Sequence, residues 1–538
     1  VAGLRKAFKQ IDHFTEQFAR QVNIPGVAIG ITDREALLWV STYGCADLAT
    51  QKPVTVDTMF EIGSLGKPFT SLALLQMHDE GILDLNAPAR QYLPWFHVQS
   101  EYPPITVHNL LNHTAGIVRG TDLAPYGLYE AWALRHTKVA APPGEFFWYS
   151  NIGYKTVGFL LEQVSGQPLQ DVLQSRVLNP LGMSHTRPVV TFETRKLTAS
   201  GYTPFYDDRP EHPSHGLIPA VPVEYATADG CQASTPGDMA IYLRLLLNRG
   251  QGPQGRLISA ESFDRMTLHG VDTGGDYYGY GIAWSQADGP NYLHHGGGNA
   301  AYMGAIALDT NAGFGVVVLG NKTGDTGLAE VAARYTLTVL RAASCGEQIP
   351  LLPPASYTTS IPDAADYAGT YRQGSRVLEL IADNGTLLLN YAGQCVALER
   401  RNHHNFYVGL PGFELFLLEF QRDNGKVVEA FHGSDWYIGE GYSGPQQFDF
   451  PPAWESYLGH YRARNPEVSN FRVVKRKGAL VVVYPWGAVE PLTPLQADLF
   501  RIGEDPRSPE LLRFSAVVEG RALRADYSGC PYYRTFTP

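Results

Sequence analysis

Three short stretches of the 538-residue chain hold residue types that could do covalent chemistry together. The first is Glu61-Ile-Gly-Ser64-Leu-Gly-Lys67-Pro. Ser64 stands at an expected helix start, where its hydroxyl is exposed and backbone N–H groups favour negative charge nearby. Lys67 follows one turn later on the same face, within reach of the serine oxygen. An amine in a mostly apolar helix (Leu72, Leu74, Leu75 and Met77 follow) tends to lose its proton and act as a base. Ser64 is the only serine with Lys three positions on, although about one such spacing is expected by chance in a chain of this length. The second stretch is Tyr149-Ser150-Asn151, after the turn-forming Pro142-Pro143-Gly144. A phenol can relay a proton and an amide can hold a carbonyl. The third, His294-His295-Gly296-Gly297-Gly298-Asn299, puts glycines ahead of the expected strand Met303–Leu308. There a substrate backbone could come close and a backbone N–H could face an oxyanion. Each stretch alone has a bland explanation in surface or core packing.

Together they form an ordered set, Ser-x-x-Lys, Tyr-x-Asn and His-x-Gly, at separations of 85 and 146 residues. The set resembles the serine β-lactamase/penicillin-binding-protein superfamily, in its class C β-lactamase-like branch. The likeness covers most of residues 1–340. It includes the segment from Ile105 to Gly116, Tyr149-Ser-Asn-Ile-Gly153-Tyr, Pro180-Leu-Gly-Met-Ser-His-Thr186, Ser234-Thr-Pro-Gly-Asp238 and Tyr278-Gly-Tyr-Gly281. The resemblance implies that Ser64 is the acylated nucleophile and that Lys67 and Tyr149 share general-base and proton-relay duty, the resting proton being assignable to either. It implies that Asn151 orients the acyl carbonyl, that the N–H groups of Ser64 and Gly298 form an oxyanion hole, and that His295 and Gly297 line the substrate side. It implies no metal and no cofactor. His294-His295-Gly296 also fits the third motif; His295-Gly296-Gly297 is preferred because the family's strand continues with glycine. Ala300-Ala301-Tyr302 departs from the Pro-Gly-aromatic usual there, which leaves the shape of that edge open.

The imidazole bears on specificity. Penicillin-binding proteins place a Lys at this position, which attracts a substrate carboxylate; a His of ordinary pKa is mostly neutral at pH 7 and attracts it less. This argues for an aminopeptidase, amidase or esterase over a D-Ala-D-Ala carboxypeptidase or strong β-lactamase. A catalytic domain followed by two β modules resembles the D-stereospecific aminopeptidases of the superfamily, in which a loop from the tail reaches the active site. Ala228-Asp229-Gly230-Cys231-Gln-Ala-Ser234 and the aromatic end Tyr532-Tyr533-Arg534 look similar to theirs. The alternatives are an esterase, a weak β-lactamase or carboxypeptidase, an acyltransferase or cyclase, and a slowly deacylating sensor that binds ligand without turnover.

The elements that must position these residues follow from periodicity. Leu4, Phe8, Ile11, Phe14 and Phe18 recur at helical spacing, and Pro25-Gly26 ends that helix. Strands are expected at Val27–Thr32 and Ala36–Tyr43, a helix from Ser64 to His78 with Gly81 past its end, and a helix over 239–248. Strands at Gly279–Trp284, Met303–Leu308 and Gly315–Leu319 and a helix over 327–342 follow. Strands at both ends of a helical middle predict an α+β domain whose sheet joins its termini. With the resemblance this becomes a β-lactamase/transpeptidase-like domain, an antiparallel sheet with flanking helices and an all-helical part, over residues 1–345.

Residues 346–364 hold four Pro and no period, so they read as a linker. Strand-like runs follow at Leu378–Ile381, Thr386–Tyr391, Leu415–Phe420 and Leu480–Tyr484. They contain a repeat: Tyr367-Ala-Gly-Thr-Tyr371 is matched by Tyr457-Leu-Gly-His-Tyr461, and Asn384-Gly385-Thr-Leu-Leu-Leu by Lys477-Gly478-Ala-Leu-Val-Val. Two modules result, 365–450 and 451–538, each with room for about eight short strands in a small antiparallel, lipocalin-like barrel. They serve either to shape the substrate site or to stabilise and assemble the chain.

Composition narrows the rest. Hydrophobic residues at 44% and charged residues at 18% exclude disorder for most of the chain. A net charge of −11 argues against nucleic acid as a partner and leaves a small-molecule, peptide or ester substrate, with a homo-oligomer left open. No apolar run is long enough to span a membrane. The five Cys are widely spread and without metal spacing, so they read as reduced and structural, which favours a cytoplasmic setting. Secreted or periplasmic placement stays open because a signal peptide can have been removed before Val1. No Ser has Gly at both −2 and +2, and no His-Glu-x-x-His occurs. The His212/His215 and His403/His404 pairs and the basic run Arg472–Lys477 read as solvated loops and a solvated hairpin. His113 and Asn112 read as structural.

Overall fold

The computed structural model describes residues 2–535 apart from 121–126, 225, 290, 325, 354–356 and 466–467. They divide into two compact units. One comprises Val1–Thr203, Leu217–Pro353 and Pro506–Pro509; the other comprises Pro204–Gly216, Pro354–Asp505 and Glu510–Pro538.

The first unit is built on a nine-stranded antiparallel sheet. Its middle strands are Tyr292–Gly298, Met303–Asp309, Phe314–Gly320 and Gly26–Thr32, in that spatial order. The last three are buried at every position, the pattern of strands covered on both faces. Alternate side chains go to two different cores, as the period of a strand requires. Val27, Ile29, Val316 and Val318 join Ile11, Phe14 and Phe18 of the Ala2–Gln21 helix and Leu337 and Leu340 of the Thr326–Cys345 helix. Ala28, Ile306, Val317 and Leu319 join the Lys67–Asp79, Asn151–Ser165 and Pro236–Leu247 helices. The sheet therefore brings both ends of the unit together, and the helical segment between them carries the nucleophile.

Two expectations shift locally. The helix expected from Ser64 begins as a 3-10 turn, Gly63–Gly66, and becomes α-helical only at Lys67, where Pro68 sits at its second position. The strand expected at Gly279–Trp284 is two strands, Asp276–Tyr278 and Ala283–Ser285, because Gly281 takes φ +79 and turns the chain between them.

In the second unit the first module is a nine-stranded sheet, curved but open between Gln394–Ala397 and Glu399–Arg400. The second is a closed eight-stranded barrel. The repeat seen in sequence is a repeat of contacts. Tyr371 Oη donates to the Tyr367 carbonyl at 3.0 Å, and Tyr461 Oη to the Tyr457 carbonyl at 2.8 Å. Asn384-Gly385 and Lys477-Gly478 both take positive φ at matching hairpins. The strand expected at Leu415–Phe420 lies at Leu418–Asp423. The basic run is not a solvated hairpin: Arg472 and Arg476 are buried, Arg476 binds Glu419 at 2.7 Å, and Lys477 binds Glu429 at 2.5 Å. Phe471 and Val473 take the barrel-core face of that strand, and Arg472 and Arg476, on the opposite face, are buried against other parts of the same unit, where charges require partners. Nor is His212 a solvated loop residue, since it stacks on Tyr407 at 4.4 Å and meets Glu399 at 3.1 Å. No disulfide joins the cysteines, and no helix is long and apolar enough to cross a membrane among the described residues.

Candidate active site

The structure brings Ser64, Lys67, Tyr149 and Asn151 to one point. Ser64 Oγ accepts from Lys67 Nζ at 2.8 Å and from Tyr149 Oη at 2.9 Å. Lys67 also donates to Asn151 Oδ1 at 2.8 Å and to the Asp229 carbonyl at 2.7 Å. Lys67 Nζ thus has three hydrogen-bond partners. Its side chain is fully buried, with Nζ 4.9 Å from the Tyr149 ring centroid and 5.6 Å from that of Tyr154, so the rings add cation–π contact to the hydrogen bonds.

Local sequence explains this placement. Ser150 is the N-cap of the Asn151–Ser165 helix, its oxygen accepting from Gly153 N at 3.1 Å. That cap fixes Tyr149 just outside the helix and Asn151 at its first position. Gly63 takes φ +51, and a Cβ there would lie 2.5 Å from the Gly298 carbonyl oxygen. A Cβ on Gly297 would lie 2.4 Å from the Ile62 carbonyl oxygen. The Ser64 turn and the end of the Tyr292–Gly298 strand therefore pack backbone to backbone, which side chains at either position would prevent. That strand pairs with Met303–Asp309 along its whole length, but with Ala283–Ser285 only at Leu293 and His294. From His295 onward its outer edge has no strand partner among the described residues.

His295 adjoins the reacting groups, whereas His294 Nε2 lies 3.2 Å from Asp276 Oδ2. His295 is buried, and both ring nitrogens are engaged: Nδ1–H donates to the Gly296 carbonyl at 2.5 Å, and Nε2 accepts from Tyr278 Oη at 2.9 Å. Burial, and then the Lys67 charge, push its pKa down to about 3. The ring is neutral, as expected from sequence, but neither nitrogen is left over for a substrate.

Sequence reasoning missed the support around Tyr149. His113, read as structural, lies under the phenol with ring centroids 4.3 Å apart, and its Nδ1 accepts from Ser150 N at 3.0 Å. Tyr278 lies 5.0 Å from the His113 ring and 6.2 Å from the Tyr149 ring. Burial, followed by Lys67, holds His113 well below the ordinary imidazole pKa, so it is neutral. The positive φ of His113, +59, was the feature that sequence could not show. Glu61 was also passed over; its carboxylate accepts from Asn299 Nδ2 at 2.6 Å. Among the described residues no group of three or more His, Cys, Asp or Glu is placed to hold a metal ion.

A sheet closed by terminal helices, with Ser-x-x-Lys and Tyr-x-Asn meeting on a glycine-edged strand, defines a serine β-lactamase/penicillin-binding-protein fold. Residues 11–341 match the family model Beta-lactamase, and the chain belongs to that family. Penicillin-binding protein 4* of Bacillus subtilis is 24% identical over 389 residues, covering 66% of this chain and 82% of its own. Protein Rv1367c of Mycobacterium tuberculosis is 28% identical over 276 residues, 45% of this chain and 69% of its own. The structure of an octameric penicillin-binding protein homologue from Pyrococcus abyssi matches with a TM-score of 0.60 at 25% identity, covering 81% of this chain and 98% of its own. That of a penicillin-binding protein from Bacillus halodurans matches at 0.50 and 25% identity, covering 59% and 97%. The chain is a hydrolase of the serine β-lactamase/penicillin-binding-protein superfamily.

Proposed function

We propose that the chain works through an acyl-enzyme on Ser64 and cleaves peptide, amide or ester bonds, as a D-amino-acid-specific aminopeptidase or amidase. The observation that carries the acyl-enzyme is the convergence of Lys67 and Tyr149 on Ser64 Oγ within 2.9 Å. In this reading one of Lys67 and Tyr149 is deprotonated before the attack: Ser64 Oγ adds to the substrate carbonyl and gives its proton to that base. The N–H groups of Ser64 and Gly298 take up the oxyanion, and Asn151 orients the acyl carbonyl. The pair then protonates the leaving amine or alkoxide and, in reverse, activates the water that releases the acid.

Support for the aminopeptidase subclass is the neutral, fully engaged His295, which offers no cation to a substrate's C-terminal carboxylate. A second support is Arg507, one of the Pro506–Pro509 residues that group with the first unit: its guanidinium lies 4.0 Å from the Phe146 ring, three positions before Tyr149. The domain layout proposed with this reading is a catalytic domain over 1–345, a linker over 346–364 and modules over 365–450 and 451–538. A homo-oligomer is proposed from the likeness to the octameric homologue, and light scattering after size exclusion tests it.

The test of substrate class is a turnover screen of paired D- and L-aminoacyl p-nitroanilides, p-nitrophenyl esters and a chromogenic cephalosporin. Turnover of D-aminoacyl anilides above their L partners is expected. Turnover of esters alone would replace the subclass with an esterase. A burst without steady turnover on every substrate would make the protein a sensor.

A further inference from the structure

Glu61 is a buried carboxylate in the immediate run-up to the nucleophile, and nothing in the reaction described above uses it. It stands on the two-residue strand Phe60–Glu61, which pairs with Ala233–Ser234. Its Oε2 accepts from Asn299 Nδ2 at 2.6 Å. Asn299 is the residue directly after Gly298, and its own Oδ1 accepts from Ala301 N and Tyr302 N, both at 3.0 Å. Asn299 is thus rigid, and its side-chain amide has one direction to point. Between Glu61 and Asn299 lie the backbone contacts of Ile62 and Gly63 with Gly297 and Gly298, the same strand ends that would supply the two oxyanion donors.

We propose that the Glu61–Asn299 hydrogen bond clamps the Ser64 turn to the Gly298 strand end, making Glu61 a positioning residue for acylation whose grip is tightest when its carboxyl is ionised. The inference rests on the Ser64 acyl-enzyme proposed above. A hydrogen bond to a carboxylate is roughly twice as strong as one to a neutral acid, so protonation loosens the clamp without abolishing it. A cavity of about 130 Å³, lined by Glu61, Arg195, Ser200, Val221, Asn299 and Tyr302, gives protons a route to the group. Burial raises the Glu61 carboxyl to about 7, against the lowering effects of Asn299 and Arg195. The charged and titratable groups facing it are Arg195 from the turn Thr194–Lys196 and the Tyr302 phenol, itself raised by burial and then by Glu61; the paired strand Ala233–Ser234 brings none. The clamp therefore tightens as pH rises through about 7.

The test follows the rate of Ser64 acylation by a p-nitrophenyl ester in the full chain, between pH 5 and 9, in wild type, Glu61→Gln, Glu61→Leu, Asn299→Ala and the Glu61→Leu/Asn299→Ala pair. A Gln carbonyl still accepts from Asn299 but does not titrate. The wild type should lose about three- to tenfold on descending through pH 7, over and above any loss that Glu61→Gln also shows. Glu61→Leu and Asn299→Ala should each slow acylation by about tenfold or more at pH 8, and the double variant should be no worse than either. Identical pH profiles in wild type and Glu61→Gln, or additive losses in the double variant, would overturn the proposal. Should Glu61→Leu not fold, the Glu61→Gln profile decides alone. Labelling that persists in Ser64→Ala would instead strike the acyl-enzyme reading, so the two failures are distinguishable.

Discussion

At the scale of the residue, a single amine organises the site. Lys67 reaches the nucleophile, the Asn151 amide and the Asp229 carbonyl at once, and it is buried beside the Tyr149 and Tyr154 rings. The residues that touch Ser64 were legible from sequence because each lies in a short motif with its own chemistry. His113 was not, since a lone His in an apolar segment is usually core, and only the fold reveals that Tyr149 rests on it. Glu61 carries a stability prediction. Its folded pKa, about 7, lies above the ordinary value of 4.5, so the folded chain holds an extra proton between those limits. The Glu61 contribution to stability is therefore fully present below about pH 4.5 and is lost as pH rises to about 7. Glu61→Gln should be more stable than wild type at pH 8, by up to about 3 kcal/mol, with the gap closing towards pH 4.5. Denaturant titrations at the two pH values measure it, and an equal gap at both would contradict it.

At the scale of the element, the decisive feature is contact between two backbones. Gly297→Ala would force a methyl to within 2.4 Å of the Ile62 carbonyl. The strand and the Ser64 turn must then separate, at a cost of about 1–3 kcal/mol in stability and roughly 100-fold in kcat. A variant that melts like wild type and turns over at its rate would show that the contact is dispensable. The long apolar strands and helices were readable because hydrophobic spacing alone defines them. Residue pattern alone showed Tyr292–Gly298 only as glycines leading into a strand, because three glycines carry little β-propensity, and the strand there came from the resemblance; its register comes from seven pairings with Met303–Asp309. The turn at Gly281 was hidden for the complementary reason, that glycine permits extension as readily as reversal.

At the scale of the whole molecule, the chain joins a Beta-lactamase-family region to a duplicated β module. The duplication was visible in sequence because the Tyr-x-Gly-x-Tyr step recurs with its hydrogen bond intact. The grouping of Pro506–Pro509 with the first unit was not, since it depends on contacts far apart in the chain. If the tail shapes the substrate site, deletion of residues 453–538 should abolish activity or change the D- against L-aminoacyl preference at least several-fold. A truncated enzyme with unchanged preference would assign the module to stability alone. The central claim is chemical, and one measurement reaches it directly. Protein quenched during turnover of a D-aminoacyl ester, and analysed by intact mass and peptide mapping, should carry the acyl group on Ser64. Ser64→Ala should carry none and lose at least about 1,000-fold in turnover. Turnover by Ser64→Ala at the wild-type rate, or an acyl group mapped elsewhere, would contradict the account.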